Sequence, residues 1–393
     1  MRIGIDLRVA PPTGPGQQRY LWRLGAWLAT QGHAVEFVSV LPQPASVAAP
    51  AGTHFHSLVG QSNAQIKRSI TALALDALLL NPERSRPFRG VPANVLRAAY
   101  GTEQYIQKLR SFRHPVEWVA RKALRAAPWT LDEMRVERQF YESRTVAPDV
   151  IAQSHYMRGQ ILSSYRVPES HVHVVHNAVD TEEYTPARRL ALREEMRQRW
   201  NIPSDALCLL FLGHNFRLKG LWQILQVLPT VGNLRRPVHL LVAGKGTGSP
   251  QRRKAQRMVR AYGLESQVTF AGDVRPSLQA HAAADALLHL SWHDSFGFVS
   301  LEAMASGLPV VTTKYVGASE LIMDGASGVI VDPAKNSEIV EAIRRLNDDT
   351  WRARIGAAAA IEGAKHDEPR NFAQVHEVLR TAVGRGTGPI RAV

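Results

Sequence analysis

The fold is decided by residues 285–311, which read DALLHLSWHDSFGFVSLEAMASGLPVV. The apolar run at residues 286–290 is typical of a buried parallel strand, and polar residues follow it. SFGF, at residues 295–298, opens a predicted helix that Gly307 and Pro309 end before the next strand begins. The stretch therefore predicts strand, loop, helix, turn and strand, the repeating unit of a parallel α/β sheet.

Two carboxylates, Asp294 and Glu302, stand on either side of Gly297 in this stretch. Backbone N–H groups around Phe296, Gly297 and Phe298 would face an anion at the positive end of the predicted helix. A carboxylate one turn inside the helix can accept both hydroxyls of a vicinal diol such as ribose, and the acid at the strand end can hold sugar hydroxyls. The arrangement suits a phosphorylated sugar, whereas acids at this spacing alone would indicate only a solvated surface loop.

Composition indicates a globular protein of two domains. A chain of 393 residues is too long for one ordinary core, and its hydrophobic share of 45% and charged share of 21% are ordinary. The apolar stretch at residues 71–80 is about half the length that a membrane span needs, and it contains Asp76. The single cysteine, Cys208, excludes an intramolecular disulfide, and the N-terminal MRIGIDLRV lacks the apolar core of a signal peptide. We expect a cytoplasmic protein.

The formal net charge of +14 and the pI near 10.2 call for anionic partners. No zinc-ligand spacing and no RNA-binding aromatic motif occurs, so nucleic acid is not an expected partner. Residues 105–144 combine many arginines with aromatic residues. A segment of this composition could bind the anionic surface of a membrane, at the inner, cytoplasmic face. Solvated helices with buried aromatics explain this segment equally well.

Strands alternate with helices in both halves, which predicts an α/β fold with two doubly wound, parallel-sheet (Rossmann-like) domains facing a cleft. We expect an N-terminal domain at residues 1–180, a C-terminal domain at 181–375 and a flexible tail at 376–393. The charged segment RRLALREEMRQRW after the first domain suits a linker helix on the surface.

A basic loop, GHNFRLKG at residues 213–220, lies between a predicted strand and helix. Ligands bind at this edge of open α/β sheets. Arg217 and Lys219 can neutralise a diphosphate there, each charge-assisted contact contributing roughly 1.5–3 kcal/mol. Such a pair would stabilise a departing diphosphate without a metal ion.

Other ligand motifs are absent or incomplete. GKGTG at residues 244–248 is not the GxGxxG of a nicotinamide site, and no GxxxxGK[ST] of an ATPase occurs. Histidines cluster at residues 155–176, but HVHVVH alternates like a strand and does not predict a metal site. No metal and no separate cofactor are therefore expected.

The quoted stretch resembles the signature of the retaining, family 4 nucleotide-sugar glycosyltransferases of the GT-B fold: an acid, seven residues, Glu, and then AMA-x-G-x-PVV. Where the family usually has Glu, this chain has Asp294, which is shorter by one bond or about 1.5 Å. The basic loop resembles the family's phosphate loop: Lys219 matches, His214 takes the place of an Arg, and Arg217 offers a replacement cation.

The resemblance extends to three weaker positions. Gly16 belongs to a loop that resembles the family's N-terminal glycine loop, with Pro15 and Gly16 in place of a glycine pair. The segment ending at Val274 resembles the one that edges the nucleobase. Family members carry a catalytic His or Asp at a position near which this chain offers only Glu103.

The resemblance implies a retaining hexosyltransferase nearest to the lipopolysaccharide-core glucosyltransferases. Its donor would be a nucleotide diphosphate sugar, with a UDP-sugar expected, and its acceptor a glycan or glycolipid of the cell surface. Lys219 and Arg217 would hold the diphosphate, Glu302 the ribose, and Asp294 the sugar. The alternative is a non-catalytic protein that binds an anionic polymer or membrane through its arginines on a decayed transferase fold.

Overall fold

The computed structural model describes residues 1–7, 16–41, 48–82, 86–98, 128–143, 147–232, 234–244 and 250–385. They form two compact units, Met1–His176 with Pro369–Val393 in unit 1 and Asn177–Glu368 in unit 2. The boundary after His176 lies a few residues before the predicted one at residue 180.

Unit 1 contains a seven-stranded sheet in the order β3-β2-β1-β4-β5-β6-β7, in which each neighbouring pair is parallel. The strands are β1 (Arg2–Asp6), β2 (Ala34–Ser39), β3 (Thr53–Ser57), β4 (Ala77–Leu80), β5 (Val95–Ala98), β6 (Asp149–Ala152) and β7 (Val172–Val174). The helices described up to β7 are α1 (Gly16–Thr30), α2 (Asn63–Ala72), α3 (Pro128–Tyr141) and α4 (His155–Ser164), with 3-10 turns at Arg86–Phe88 and Glu169–His171. Strands β4, β5 and β6 are buried along their whole length, as expected for central strands of a covered parallel sheet.

Unit 2 contains a six-stranded parallel sheet in the order β10-β9-β8-β11-β12-β13. The strands are β8 (Leu207–Leu212), β9 (Val238–Ala243), β10 (Val268–Gly272), β11 (Ala286–His289), β12 (Val310–Thr312) and β13 (Val329–Ile330). Its helices are α5 (Pro186–Arg199), α6 (Leu221–Val227), α7 (Pro250–Ala261), α8 (Leu278–Ala283), α9 (Phe298–Ala305), α10 (Asn336–Leu346) and α11 (Asp349–Gly363), with 3-10 turns at Leu228–Thr230 and Gly317–Leu321. These two sheets confirm the prediction of an α/β fold with two parallel-sheet domains, and the elements of unit 2 confirm the strand-helix-strand prediction for residues 285–311.

The sheet of unit 2 is covered on both faces. Cys208 and Leu210 belong to one apolar cluster, whereas Leu207 and Leu209 belong to another, because side chains alternate across a strand. The central strands are therefore apolar throughout, which explains why they read as continuous hydrophobic runs. Burial raises the pKa of the Cys208 thiol to about 12, so this residue is an inert part of the core.

Asp285, just before β11, is a buried carboxylate held by the linker helix α5. Its Oδ1 accepts from Arg193 Nη2 at 2.6 Å, and its Oδ2 accepts from Arg197 Nη1 at 3.3 Å and from the Cys208 amide at 2.8 Å. Burial alone would raise the pKa of Asp285, but Arg193, the Cys208 amide and Arg197 lower it below the usual range. The prediction that this helix lies on the surface is wrong for its arginine face, because Arg197 is buried.

The last helix, α12 (Glu368–Gly384), returns the chain to unit 1. Its apolar face is buried, with Phe372 against the rings of Tyr20 and Trp27. The Tyr20 hydroxyl donates to Asn371 Oδ1 at 2.6 Å, and Arg385 Nη1 donates to Asp149 Oδ1 at 2.7 Å. The predicted flexible tail is therefore wrong for residues 376–384, where apolar residues recur at helical spacing ahead of the Gly-rich end.

Three predictions of the sequence analysis fall wholly or partly outside the described residues. Glu103 lies outside them, as do residues 105–127 and residue 144 of the basic, aromatic-rich segment. The C-terminal part of that segment contributes α3, which confirms its helical tendency there. Residues 386–393 of the tail also lie outside the described ranges.

We predict that Asp285→Asn lowers the free energy of unfolding by about 3–5 kcal/mol, because it leaves Arg197 buried without its anionic partner. Chemical denaturation of wild type and variant measures this loss. Asp349 is the matched control, since it pairs with Arg235, Arg236 and Arg352 but is 46% exposed. Asp349→Asn should cost about 0–1 kcal/mol, and equal losses in the two variants would contradict the argument from burial.

Candidate functional site

Two loops of unit 2 meet where the strand order of its sheet reverses, between β8 and β11. The loop after β8 ends at Gly220, whose φ is +86° and where a Cβ would lie 2.2 Å from the Leu290 carbonyl oxygen. The Trp292 amide of the loop after β11 donates to the Leu218 carbonyl at 2.9 Å. Glycine at 220 thus permits the close approach that brings the two predicted loops together.

Lys219 and Asp294 form an ion pair across these loops, through Lys219 Nζ and Asp294 Oδ2. Burial opposes the charge on Asp294, but Lys219 and His289 outweigh it and hold the pKa of this carboxyl well below its usual range. The carboxylate is therefore ionised at neutral pH. Its backbone is fixed as well, because the Asp294 amide donates to the Tyr315 carbonyl at 2.9 Å.

His289, at the end of β11, is a site residue that the sequence analysis missed. Its Nε2 lies 3.3 Å from Asp294 Oδ2, and its Nδ1 lies 2.8 Å from Ser300 Oγ on α9. Burial lowers the pKa of His289 in spite of the neighbouring carboxylate. A neutral ring that accepts from Ser300 and presents Nε2–H to Asp294 satisfies both contacts. The available signal was a histidine within the apolar run ALLHL.

Gly297 is the N-cap of α9 and has a φ of +90°. A Cβ at this position would lie 2.8 Å from Val316 Cγ1 and 2.9 Å from His289 Cε1, so only glycine fits without displacing them. Phe296 and Phe298 flank it, with ring centroids 6.0 Å apart. The Phe296 amide, just before α9, donates to Asp294 Oδ1 at 3.4 Å, so the turn that leads into the helix is tied to this carboxylate.

Glu302, one turn inside α9, is buried. Its Oε2 accepts from Ser277 Oγ at 2.9 Å, and Ser277 Oγ lies 2.7 Å from the Tyr184 hydroxyl. Val274 lies half-buried in the same segment between β10 and α8. Ser277 and Tyr184 were missed by sequence reasoning, because contacts that span 25 and 93 residues leave no local pattern.

The remaining predicted residues are distributed over both units. His214 and Arg217 are exposed and share the loop of Lys219, and the Arg217 amide donates to Gln251 Oε1 at 3.1 Å. Gly16 is the first residue of α1 in unit 1. Unit 2 by itself therefore brings together Lys219, Asp294, the start of α9 and Glu302.

Within the described ranges, no group of three or more His, Cys, Asp or Glu side chains is arranged to hold a metal ion. Among the described helices, none has the length and apolar character to cross a membrane.

A family model matches the part of the chain that contains this site. Residues 192–363 match the model described as Glycosyl transferases group 1. That range holds every predicted site residue of unit 2, from His214 to Glu302.

Curated relatives carry the name D-inositol 3-phosphate glycosyltransferase. The protein from Arthrobacter sp. (strain FB24) is 30% identical over 241 residues, which cover 60% of this chain and 56% of the relative. Its namesake from Pseudarthrobacter chlorophenolicus is 31% identical over 259 residues, which cover 64% of this chain and 60% of the relative. This chain thus spans a little over half the length of these relatives.

Solved structures share the fold. WaaG, a glycosyltransferase involved in lipopolysaccharide biosynthesis, aligns with a TM-score of 0.77 at 19% identity, over 96% of this chain and 99% of WaaG. HepE of Anabaena, in complex with UDP and glucose, aligns with a TM-score of 0.73 at 19% identity, over 97% and 100%. Both sheets of this chain therefore match the GT-B architecture. The solved structures show the fold, and the family match shows similarity to the group 1 glycosyltransferases over residues 192–363.

We predict that Gly297→Ala lowers the free energy of unfolding of unit 2 by about 2–4 kcal/mol, from backbone strain and the clash with Val316 and His289. Gly263 is the matched control, because its φ is +65° but nothing lies within 4 Å of a Cβ there. Gly263→Ala should cost about 1 kcal/mol. Chemical denaturation compares the two variants, and a similar small loss in both would show that the packing around Gly297 is not tight.

Proposed function

We propose that this protein transfers a hexose from a nucleotide diphosphate sugar to an acceptor hydroxyl, with retained anomeric configuration. A UDP-sugar is the donor we expect. The observation that carries the proposal is the juxtaposition in unit 2 of the Lys219–Asp294 pair with the Gly297-capped start of α9, with Glu302 one turn further along that helix. The HepE complex with UDP and glucose supports the donor class, and retention rests on the resemblance to family 4 enzymes.

Lys219 is assigned to the donor diphosphate. A lysine ammonium has three N–H donors, so it can keep its contact to Asp294 and still bind phosphate oxygens. As the bond between the anomeric carbon and the diphosphate breaks, negative charge grows on the leaving oxygen. Lys219, Arg217 and the first amides of α9 would stabilise that charge, each charge-assisted contact contributing roughly 1.5–3 kcal/mol.

The two carboxylates are assigned different parts of the donor. Glu302 would accept from the ribose hydroxyls, and Asp294 with the backbone at Phe296, Gly297 and Phe298 would hold the transferred sugar. Because Asp294 is ionised, it also places negative charge where the anomeric carbon becomes electron-poor. His214, Val274 and Gly16 are assigned to the rest of the donor through the resemblance, and Glu103 stays a candidate for the reacting centre. No cofactor or metal is assigned.

The acceptor is proposed to be a glycan or glycolipid of the cell surface, by analogy with WaaG, which is involved in lipopolysaccharide biosynthesis. The name of the curated relatives adds a second acceptor class, a phosphorylated inositol. Both classes offer hydroxyls, so the choice is made by assay: sugar transfer to lipopolysaccharide core acceptors is compared with transfer to inositol phosphate.

We predict slow release of nucleoside diphosphate from a UDP-hexose by the wild-type protein without acceptor. Glu302→Ala and Lys219→Ala should each lower this rate by roughly tenfold or more, because each removes a charged contact to the donor. Coupled detection of UDP from a panel of UDP-hexoses measures the rate.

Lys335→Ala is the matched control for Lys219→Ala. Lys335 also pairs with an acid, Glu338, but the pair is exposed and joins neighbouring residues of the chain. This control should keep the wild-type rate. Equal rates in wild type, Glu302→Ala and Lys219→Ala would reject the site assignment.

We also propose that the protein contacts anionic membrane through its basic surface. The non-catalytic alternative, in which the protein binds an anionic polymer or membrane, depends on the same basic residues. Helix α7 has no acidic residue, and its exposed face carries cations at Arg253, Lys254, Arg257 and Arg260. A cationic helix face with this density of charge is attracted to anionic lipid and screened by salt.

We predict that vesicles containing phosphatidylserine retain the protein at low salt and release it as salt rises. The double variant Arg257→Glu/Arg260→Glu should bind several-fold more weakly, whereas Arg354→Glu/Arg380→Glu, with the same change in net charge on α11 and α12, should bind like wild type. Vesicle sedimentation measures retention. Binding that is independent of lipid charge would remove this proposal and leave the transferase proposal unaffected.

A further inference from the structure

A chain of hydroxyl groups leads from Tyr184 to the buried carboxylate of Glu302. Ser277 Oγ donates to Glu302 Oε2 at 2.9 Å. The single hydroxyl proton of Ser277 is used in that bond, so the Tyr184 hydroxyl, 2.7 Å away, must be the donor to Ser277 Oγ. The chain therefore has one direction, from the phenol to the serine to the carboxylate.

Tyr184 is itself fixed in place. Its amide donates to the Asp180 carbonyl at 2.9 Å, and its side chain is only 2% exposed. The ring of His281 packs against it edge-on, with centroids 6.1 Å apart. Burial, and then the charge of Arg189, lowers the pKa of His281 to about 3. This ring is therefore uncharged at neutral pH and contributes only packing against Tyr184. The phenol oxygen consequently has a defined position.

A glutamate side chain has several rotamers, and a carboxylate that must accept from a diol is useful only in one of them. A hydrogen bond from Ser277 to one carboxylate oxygen restricts the rotamers that Glu302 can adopt. We propose that Ser277 and Tyr184 are positioning residues that hold Glu302 in the orientation that recognises the ribose of the donor nucleotide. This inference rests on the proposed function and names two specificity-determining residues for it.

The experiment compares the affinities of the full chain for UDP and for its deoxyribose counterpart by calorimetric titration. The wild-type protein should prefer the ribose form by roughly tenfold, the worth of a hydrogen bond to a charged group. Ser277→Ala and Tyr184→Phe should reduce this preference several-fold, leaving the affinity for the deoxyribose form near the wild-type value. Ser277→Thr, which keeps the hydroxyl, should restore the preference.

Tyr20→Phe is the matched control, because it also removes a buried tyrosine hydroxyl, one that donates to Asn371 in unit 1. It should leave the ribose preference unchanged even if it lowers stability. If Ser277→Ala or Tyr184→Phe weakens the binding of both nucleotides equally, the two residues have a purely structural role and the inference is overturned.

The proposed function fails in a distinguishable way. A wild-type protein that binds none of UDP, ADP or GDP would overturn the function and this inference together. A ribose preference that is lost in Glu302→Ala but intact in Ser277→Ala and Tyr184→Phe would overturn the inference alone.

Discussion

The parallel pairing of β8 with β11 is the constraint on which the site of unit 2 depends. Strand order reverses at this pair, so the loops that follow the two strands leave the same edge of the sheet side by side. Lys219 and Asp294 are 75 residues apart in the chain, yet each is only a few residues from the end of one of these strands. Their ion pair is a consequence of topology, and Gly220 is required because the backbones approach so closely.

The three carboxylates between residues 285 and 302 have different partners. These partners distinguish the structural carboxylate, Asp285, from the two that are assigned to the donor. Asp285 is neutralised by two arginines and an amide, which consume its acceptor capacity within the core. Asp294 is paired with a lysine whose ammonium has further donors. Glu302 accepts on one oxygen from the hydroxyl of Ser277, an uncharged donor that helps to orient the carboxylate.

Much of the fold was predictable from the sequence, because buried parallel strands are apolar throughout and Gly and Pro mark their ends. The strand, loop and helix at residues 285–311 follow this rule, as do the loops of Lys219 and Asp294. The continuation of the last helix through residues 376–384 was not predicted because the Gly-rich end dominates the composition, although Phe372, Val375 and Leu379 recur at helical spacing. Ser277 and Tyr184 could not be identified from the sequence, since a hydrogen bond between distant segments leaves no local sequence pattern.

The substitution of Asp for the usual Glu at position 294 can be understood from its neighbours. A side chain shorter by one bond reaches less far into a binding site, but here the Lys219 ammonium and the neutral His289 ring approach it from two sides. His289 approaches from the strand and is oriented by Ser300, while Lys219 approaches from the neighbouring loop. Gly297 leaves the space that His289 occupies. His289 therefore lies against both Asp294 and Gly297, so a longer acid at position 294 or a side chain at position 297 would have to displace this ring.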